Sequence, residues 1–151
     1  MSVQKSVAVK ADPNVDIIGV PKDRLFELWP VLQDYLHELE GVTQGRISSD
    51  DVLLDVLAGD CALWLIYSPL KKHTYAVAVT RVLKYPNLKS VLMEFCGGSD
   101  AHLWFAKAEA ELVEYARSVG ADMVEALGRR GWMRLLGDDW SSERVMLTKG
   151  V

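Results

Sequence analysis

Two glutamates in otherwise apolar stretches, Glu94 and Glu125, and the run Cys96-Gly97-Gly98-Ser99-Asp100 between them are the residues whose types and spacing could do chemistry. A carboxylate in an apolar strand costs energy unless it is paired or wet. Each glutamate is therefore a candidate general base, directly or through water. A salt bridge to a nearby arginine is the competing reading. The glycine run joins a strand-like segment, SVLMEF, to a helix-like segment that begins at Ala101. Unpaired N–H groups gather at such a junction and favour an anion. Gly97 and Gly98 would let the backbone approach a phosphate closely, or would simply permit an ordinary turn. Asp100 opposes the anion in two ways. In the first turn its charge repels phosphate; as the cap its carboxylate takes the N–H groups a phosphate needs.

Cys96 beside the helix start and His102 in its first turn suggest thiol chemistry, with the histidine as base. No third orienting residue is evident, and a packed cysteine with a surface histidine is the simpler reading. Cys61 and Cys96 stand far apart, so neither a disulfide framework nor metal-ligand spacing is expected. Lys107, Arg129 and Arg130 are the cations that could offset Asp100, with solvated surface as the alternative. Trp132 could wall a ligand channel, although the five tryptophans read first as packing anchors.

The elements that must position these residues follow from periodicity. Val15 to Val20 reads as a strand. Leu25, Leu28, Leu32, Leu36 and Leu39 recur at helical spacing to Glu40, and Pro30 inside the pattern predicts a kink or two helices. Ser48 or Ser49 caps the next helix and Gly59 ends it. Cys61–Tyr67 and Tyr75–Leu83 form a hairpin, and Lys89–Phe95 is the following strand. Alternation would put Leu92, Glu94 and Cys96 on one face, and Met123, Glu125 and Leu127 on one face of the strand after the helix. That strand must run parallel to Lys89–Phe95 after a right-handed crossover. Arg144–Thr148 is expected as a closing strand. The result is an α/β chain with a mixed sheet flanked by helices. Residues 1–14 form an N-terminal arm and 15–151 a single domain.

The chain has 151 residues, half of them hydrophobic and a quarter charged, with a net charge of −4. These values fit one globular domain and disfavour a nucleic-acid partner. No apolar stretch is long enough to span a bilayer, and the N-terminus lacks a signal-peptide core. The expected compartment is the cytoplasm.

From Val15 onward the element order is similar to that of the GNAT family, the acyl-CoA-dependent N-acyltransferases. The elements that carry the likeness are VLMEF, CGGSD, the helix from Ala101, MVEAL and the tail GRRGWMRLLGDDW. VPKDRLFELWP, FCGGSD and GRRGW together most resemble compact GNAT-like proteins encoded by bacteriophages. The resemblance implies a splayed central sheet and acetyl-CoA as co-substrate, with no metal. Cofactor contacts would fall at Phe95, Cys96, Gly97, Gly98, Ser99, Asp100, Ala101, Arg129 and Trp132. The acceptor would be a small-molecule or protein amine, with Glu94 and Glu125 as catalytic candidates. The family's longer loop begins with Arg or Gln and its last helix often carries a general-acid tyrosine; both are missing here. The alternative is a GNAT-fold protein without catalysis, acting in a phage particle or on the host. It would associate with itself or with a virion.

Overall fold

The computed structural model describes residues 11–151. Five strands form one sheet in the order β1-β2-β3-β4-β5. They are β1 (Asp16–Gly19), β2 (Ala62–Ser68), β3 (His73–Lys84), β4 (Lys89–Gly98) and β5 (Met123–Ala126). The first four are antiparallel neighbours, and β4 and β5 are parallel. The helices are α1 (Leu25–Leu36), α2 (Leu39–Val42), α3 (Ser49–Ala58) and α4 (Ala101–Ser118). This is the mixed sheet with flanking helices that the sequence predicts. No helix among the described residues is long and apolar enough to cross a membrane.

The two faces of the sheet carry separate cores. On one, Leu25, Leu32 and Leu36 of α1, Leu39 of α2, and Val52 and Val56 of α3 pack on Leu63, Val77, Val79 and Phe95. On the other, Trp104 and Phe105 of α4 pack on Val15, Ile66, Tyr75 and Ala76. Leucines one helical turn apart supply the first core, as the sequence pattern requires. α3 begins with a capping box in which Ser48 and Asp51 satisfy each other's backbone N–H, and Gly59 ends it at φ 82°.

Four expectations are corrected. Of the kink or two helices expected, two helices are found, but the split comes not at Pro30, which lies inside α1, but later, at His37–Glu38. The carbonyl that Pro30 leaves without a donor belongs to Phe26, an exposed residue, so water can take that bond. β4 does not stop at Phe95 but stays paired with β3 as far as Ala76–Gly98. The glycines are thus the end of a strand, and the turn shrinks to Ser99–Asp100. Arg144–Thr148 forms no strand and lies exposed. The fourth correction concerns alternation along β4. Opposite Val79 and Thr80 stand Phe95 and Met93, so Glu94 is the extra residue of a β-bulge. A bulge breaks the two-residue period. Met93 and Cys96 consequently face α4, while Phe95 joins the α1–α3 core.

Of the arm, residues 1–10 lie outside the described residues. The rest is docked. The Asp12 N–H donates to the Leu103 carbonyl at 2.8 Å, and its carboxylate accepts from the Tyr75 hydroxyl at 2.9 Å. The Asn14 backbone N–H, the Tyr75 hydroxyl and Lys71 together hold the Asp12 carboxyl below its ordinary pKa.

Candidate functional site

β4 and β5 are paired only from Ser90–Met123 to Met93–Ala126. One further bond follows, from the Leu127 N–H to the Met93 carbonyl at 3.1 Å. Beyond it the chains part. β4 continues along β3 to Gly98, while the other chain turns through Gly128 into a short 3₁₀ turn, Arg130–Arg134. The bulge at Glu94 begins this divergence, because it bends one strand and not its neighbour.

The wedge between them is a cleft of about 450 Å³. All of Phe95 to Ala101 line it, as do Arg129 and Trp132. The structure therefore gathers every residue expected to meet a cofactor. It adds others that sequence reasoning missed, chiefly Glu38, Val42, Trp104 and Leu135. Trp104 had a readable signal, since it lies one turn into the helix that the glycine run opens. Its indole N–H donates to the Ser99 carbonyl at 2.8 Å and holds the turn against the helix. Glu38 had none, because it comes from the α1–α2 junction far away in the chain. Gly128 is fixed by close approach: a Cβ there would lie 2.7 Å from the Trp132 ring.

Asp100 is the N-cap of α4 and sits in the left-handed region at φ 57°. Its side chain makes no capping bond. It accepts instead from the Ser99 hydroxyl at 3.4 Å. The carboxylate thus leaves the N–H groups of the first turn to other acceptors. Leu103 bonds back to the Asp100 carbonyl, and the N–H groups of Ala101 and His102 have no partner among the described residues. An open N-terminus of an 18-residue helix faces the cleft. The local charge is less favourable. Arg129 is ion-paired with Glu38 at 3.3 Å, and Asp100 stands beside the helix start. Lys107 does not help, because its ammonium donates to the Val15 carbonyl on the α4 side of the sheet. Arg130 is exposed and outside the cleft lining.

Neither glutamate lines the cleft. Glu94 lies on the α1–α3 side, nearly buried at 9% side-chain exposure, with Oε2 accepting from Arg81 Nε at 2.7 Å. Arg81 reaches Asp55 of α3 with its other arm at 2.8 Å. The hydrogen bond to Glu94 is the main cause that raises the Arg81 pKa, with Asp55 adding to it. Glu94 Oε1 makes no hydrogen bond among the described residues. Glu125, half-buried, stands opposite Leu92 on β5 and has no ionic partner among them.

The structure gives the thiol reading no support: no hydrogen bond joins Cys96 and His102 among the described residues. Cys96 packs beneath α4, and burial pushes its thiol up to about 12. A thiol held protonated at neutral pH is a poor nucleophile. Cys61 is likewise pushed to about 11, chiefly by burial. No group of three or more His, Cys, Asp or Glu among the described residues could hold a metal ion.

The order of strands, the bulged β4, the parting of β4 from β5 and the helix that starts in the gap define the acetyltransferase fold of the GNAT type. Solved structures agree. An aminoglycoside acetyltransferase from an uncultured soil metagenomic sample superposes with a TM-score of 0.68 at 13% identity, covering 91% of this chain and 97% of its own. A second such enzyme from a soil metagenome, solved with trehalose, gives 0.65 at 10% identity over 93% and 98%. A ribosomal-protein-alanine N-acetyltransferase from Brucella melitensis biovar Abortus 2308 gives 0.59 at 14% over 89% and 99%. Likeness at such identities is a likeness of fold. No protein-family model matches the chain, and no curated protein matches it significantly.

Proposed function

We propose that this protein moves an acyl group from a coenzyme A thioester to an amine. The observation that carries the reading is the wedge between β4 and β5, which brings Phe95–Ala101, Arg129 and Trp132 around one cleft at an open helix start. Acyl-coenzyme A would supply the activated acyl carbon there. The free N–H groups of Ala101 and His102, with the positive end of α4, would receive the pyrophosphate. Trp104, Trp132 and Leu135 offer an apolar wall of the kind a pantetheine arm needs. The bulge leaves Glu94 opposite no residue of β3, and a backbone N–H at that point would be the donor an oxyanion needs. The acceptor would be a small-molecule or protein amine entering from the α1–α3 side. Glu94 Oε1 would take its proton through water, while Arg81 holds the other oxygen in place. Glu125, one strand away, is the second candidate.

Calorimetric titration with acetyl-CoA tests the reading, and absence of binding at millimolar ligand would overturn it. Asp100→Asn is the informative variant. Asparagine tolerates the left-handed backbone and removes a charge beside the expected pyrophosphate. At several ångströms in partly wet surroundings that repulsion is about 1 kcal/mol, so affinity should rise about fivefold. Once an acceptor is found, Glu94→Gln should lower kcat about a hundredfold at nearly unchanged acetyl-CoA affinity. An undiminished kcat would remove Glu94 from the mechanism. The charge of Asp100, with the missing basic loop residue and tyrosine, motivates a second reading, a GNAT fold retained for association without catalysis. Failure of both wild type and Asp100→Asn to bind acetyl-CoA would select it.

A further inference from the structure

The segment before β1 is bound to α4 and to β3, the two elements that hold the Ser99–Asp100 turn. The Asp12 N–H donates to the Leu103 carbonyl in the first turn of α4 at 2.8 Å, and Lys107, one turn on, donates to the Val15 carbonyl. The Asp12 side chain is 6% exposed. Its carboxylate accepts from the Asn14 N–H at 2.9 Å and from the Tyr75 hydroxyl at 2.9 Å, and Lys71 stands 3.5 Å away. Lys71 also donates to the Tyr75 hydroxyl at 3.1 Å. An enclosed carboxylate needs such partners, and here they tie the segment to the β2–β3 turn and to β3.

Tyr75 carries the connection on to the turn. It is buried, and its backbone carbonyl accepts the Ser99 N–H at 3.0 Å. The Ser99 carbonyl in turn accepts the Trp104 indole N–H. These two bonds brace a turn in which Asp100 has a left-handed backbone. A non-glycine residue stays in that region only while its surroundings hold it there. The same turn sets the direction of the Ala101 and His102 N–H groups.

We propose that Asp12 is a positioning residue for the cleft: its grip on Tyr75 and Leu103 fixes the Ser99–Asp100 turn and so aims the open N–H groups of α4 at a bound anion. Asp12 does not line the cleft and acts only through these partners. The proposal rests on the acyl-coenzyme A reading above, in which that anion is the pyrophosphate.

Calorimetric titration of acetyl-CoA into variants of the full chain tests it. Asp12→Ala should weaken binding about tenfold. Asp12→Asn keeps an oxygen for the Tyr75 hydroxyl and the Asn14 N–H, so it should stay within about twofold of wild type. Tyr75→Phe removes the same bond from the other partner and should weaken binding as Asp12→Ala does. Val56→Ala lies in the core on the opposite face of the sheet. It lowers stability without touching Asp12 or Tyr75 and should bind like wild type. Wild-type affinity in Asp12→Ala overturns the proposal. So does equal weakening in Asp12→Asn, which would assign the effect to the Lys71 charge, or in Val56→Ala, which would assign it to stability at large. Hydrogen exchange without ligand separates the proposal from the reading beneath it. Asp12→Ala should speed exchange at the Ser99 and Leu103 amides about tenfold, and Val56→Ala should not. If wild type binds no acetyl-CoA, the catalytic reading falls and exchange alone decides: faster exchange at those two amides sustains the grip of Asp12 on the turn, and unchanged exchange overturns it.

Discussion

Gly98→Ala is expected to destabilise the protein by about 3 kcal/mol, the upper end of the usual overpacking cost. A Cβ at Gly98 would lie 2.1 Å from the Tyr75 carbonyl oxygen and 2.6 Å from the Ala76 Cα. Both obstacles are backbone of the neighbouring strand, which cannot swing aside as a side-chain tip does. Relief would require β3 and β4 to separate where they pair, at Ala76–Gly98. The change should lower Tm by about 10 °C for a domain of this size. At Gly97 the nearest obstacles are the Phe95 ring at 2.6 Å and the Tyr35 carbonyl at 3.1 Å, so substitution there is also unfavourable. These contacts give the glycine pair a packing role that neither phosphate approach nor an ordinary turn requires. The missing side chains make room for protein. If their purpose were instead close approach of a phosphate, Gly98→Ala would melt like wild type and lose only acetyl-CoA affinity.

Arg81→Met is expected to cost about 2–3 kcal/mol, measured by urea unfolding. Among the described residues the arginine is the one cation bonded to both Glu94 and Asp55. Removing it leaves the Glu94 carboxylate uncompensated in a nearly buried position, which is the expensive way to break an ion pair. The figure is kept below that of a fully buried pair because Asp55 retains 35% exposure and water can screen it. The double variant Arg81→Met, Glu94→Gln should recover most of the loss, since the charge then left without Arg81 is Asp55, which keeps 35% exposure and is screened by water. Equal losses in the single and double variants would show that Arg81 contributes packing and not charge.

How much of this was legible in the sequence depends on the range of the interaction. Ser48, Gly59 and the leucine spacing act within a turn or two of helix, and they marked the helix boundaries they control. The β-hairpin and the crossover through α4 followed from segment length and order. The cleft lining could be read as a contiguous run because Phe95–Ala101 is contiguous in space too. The face of Glu94 was not legible. A single extra residue opposite Val79 and Thr80 shifts the period, and no local pattern announces it. Its partner Arg81 lies on another strand, and Asp55 lies on a helix of the facing layer.

The sequence by itself determined most of the helices and strands, the mixed sheet, and the junction at which a helix start meets two glycines. Caps, turns and hydrophobic period are short-range, so one chain read in order carries them. Only the tertiary structure decided that the glycines serve strand packing, and that Asp100 caps through its backbone and leaves its neighbours' N–H groups open. It alone brought Glu38 to Arg129 across the cleft and left Arg144–Thr148 unpaired. Those outcomes depend on which surfaces meet after collapse, and local residue preferences do not encode that meeting.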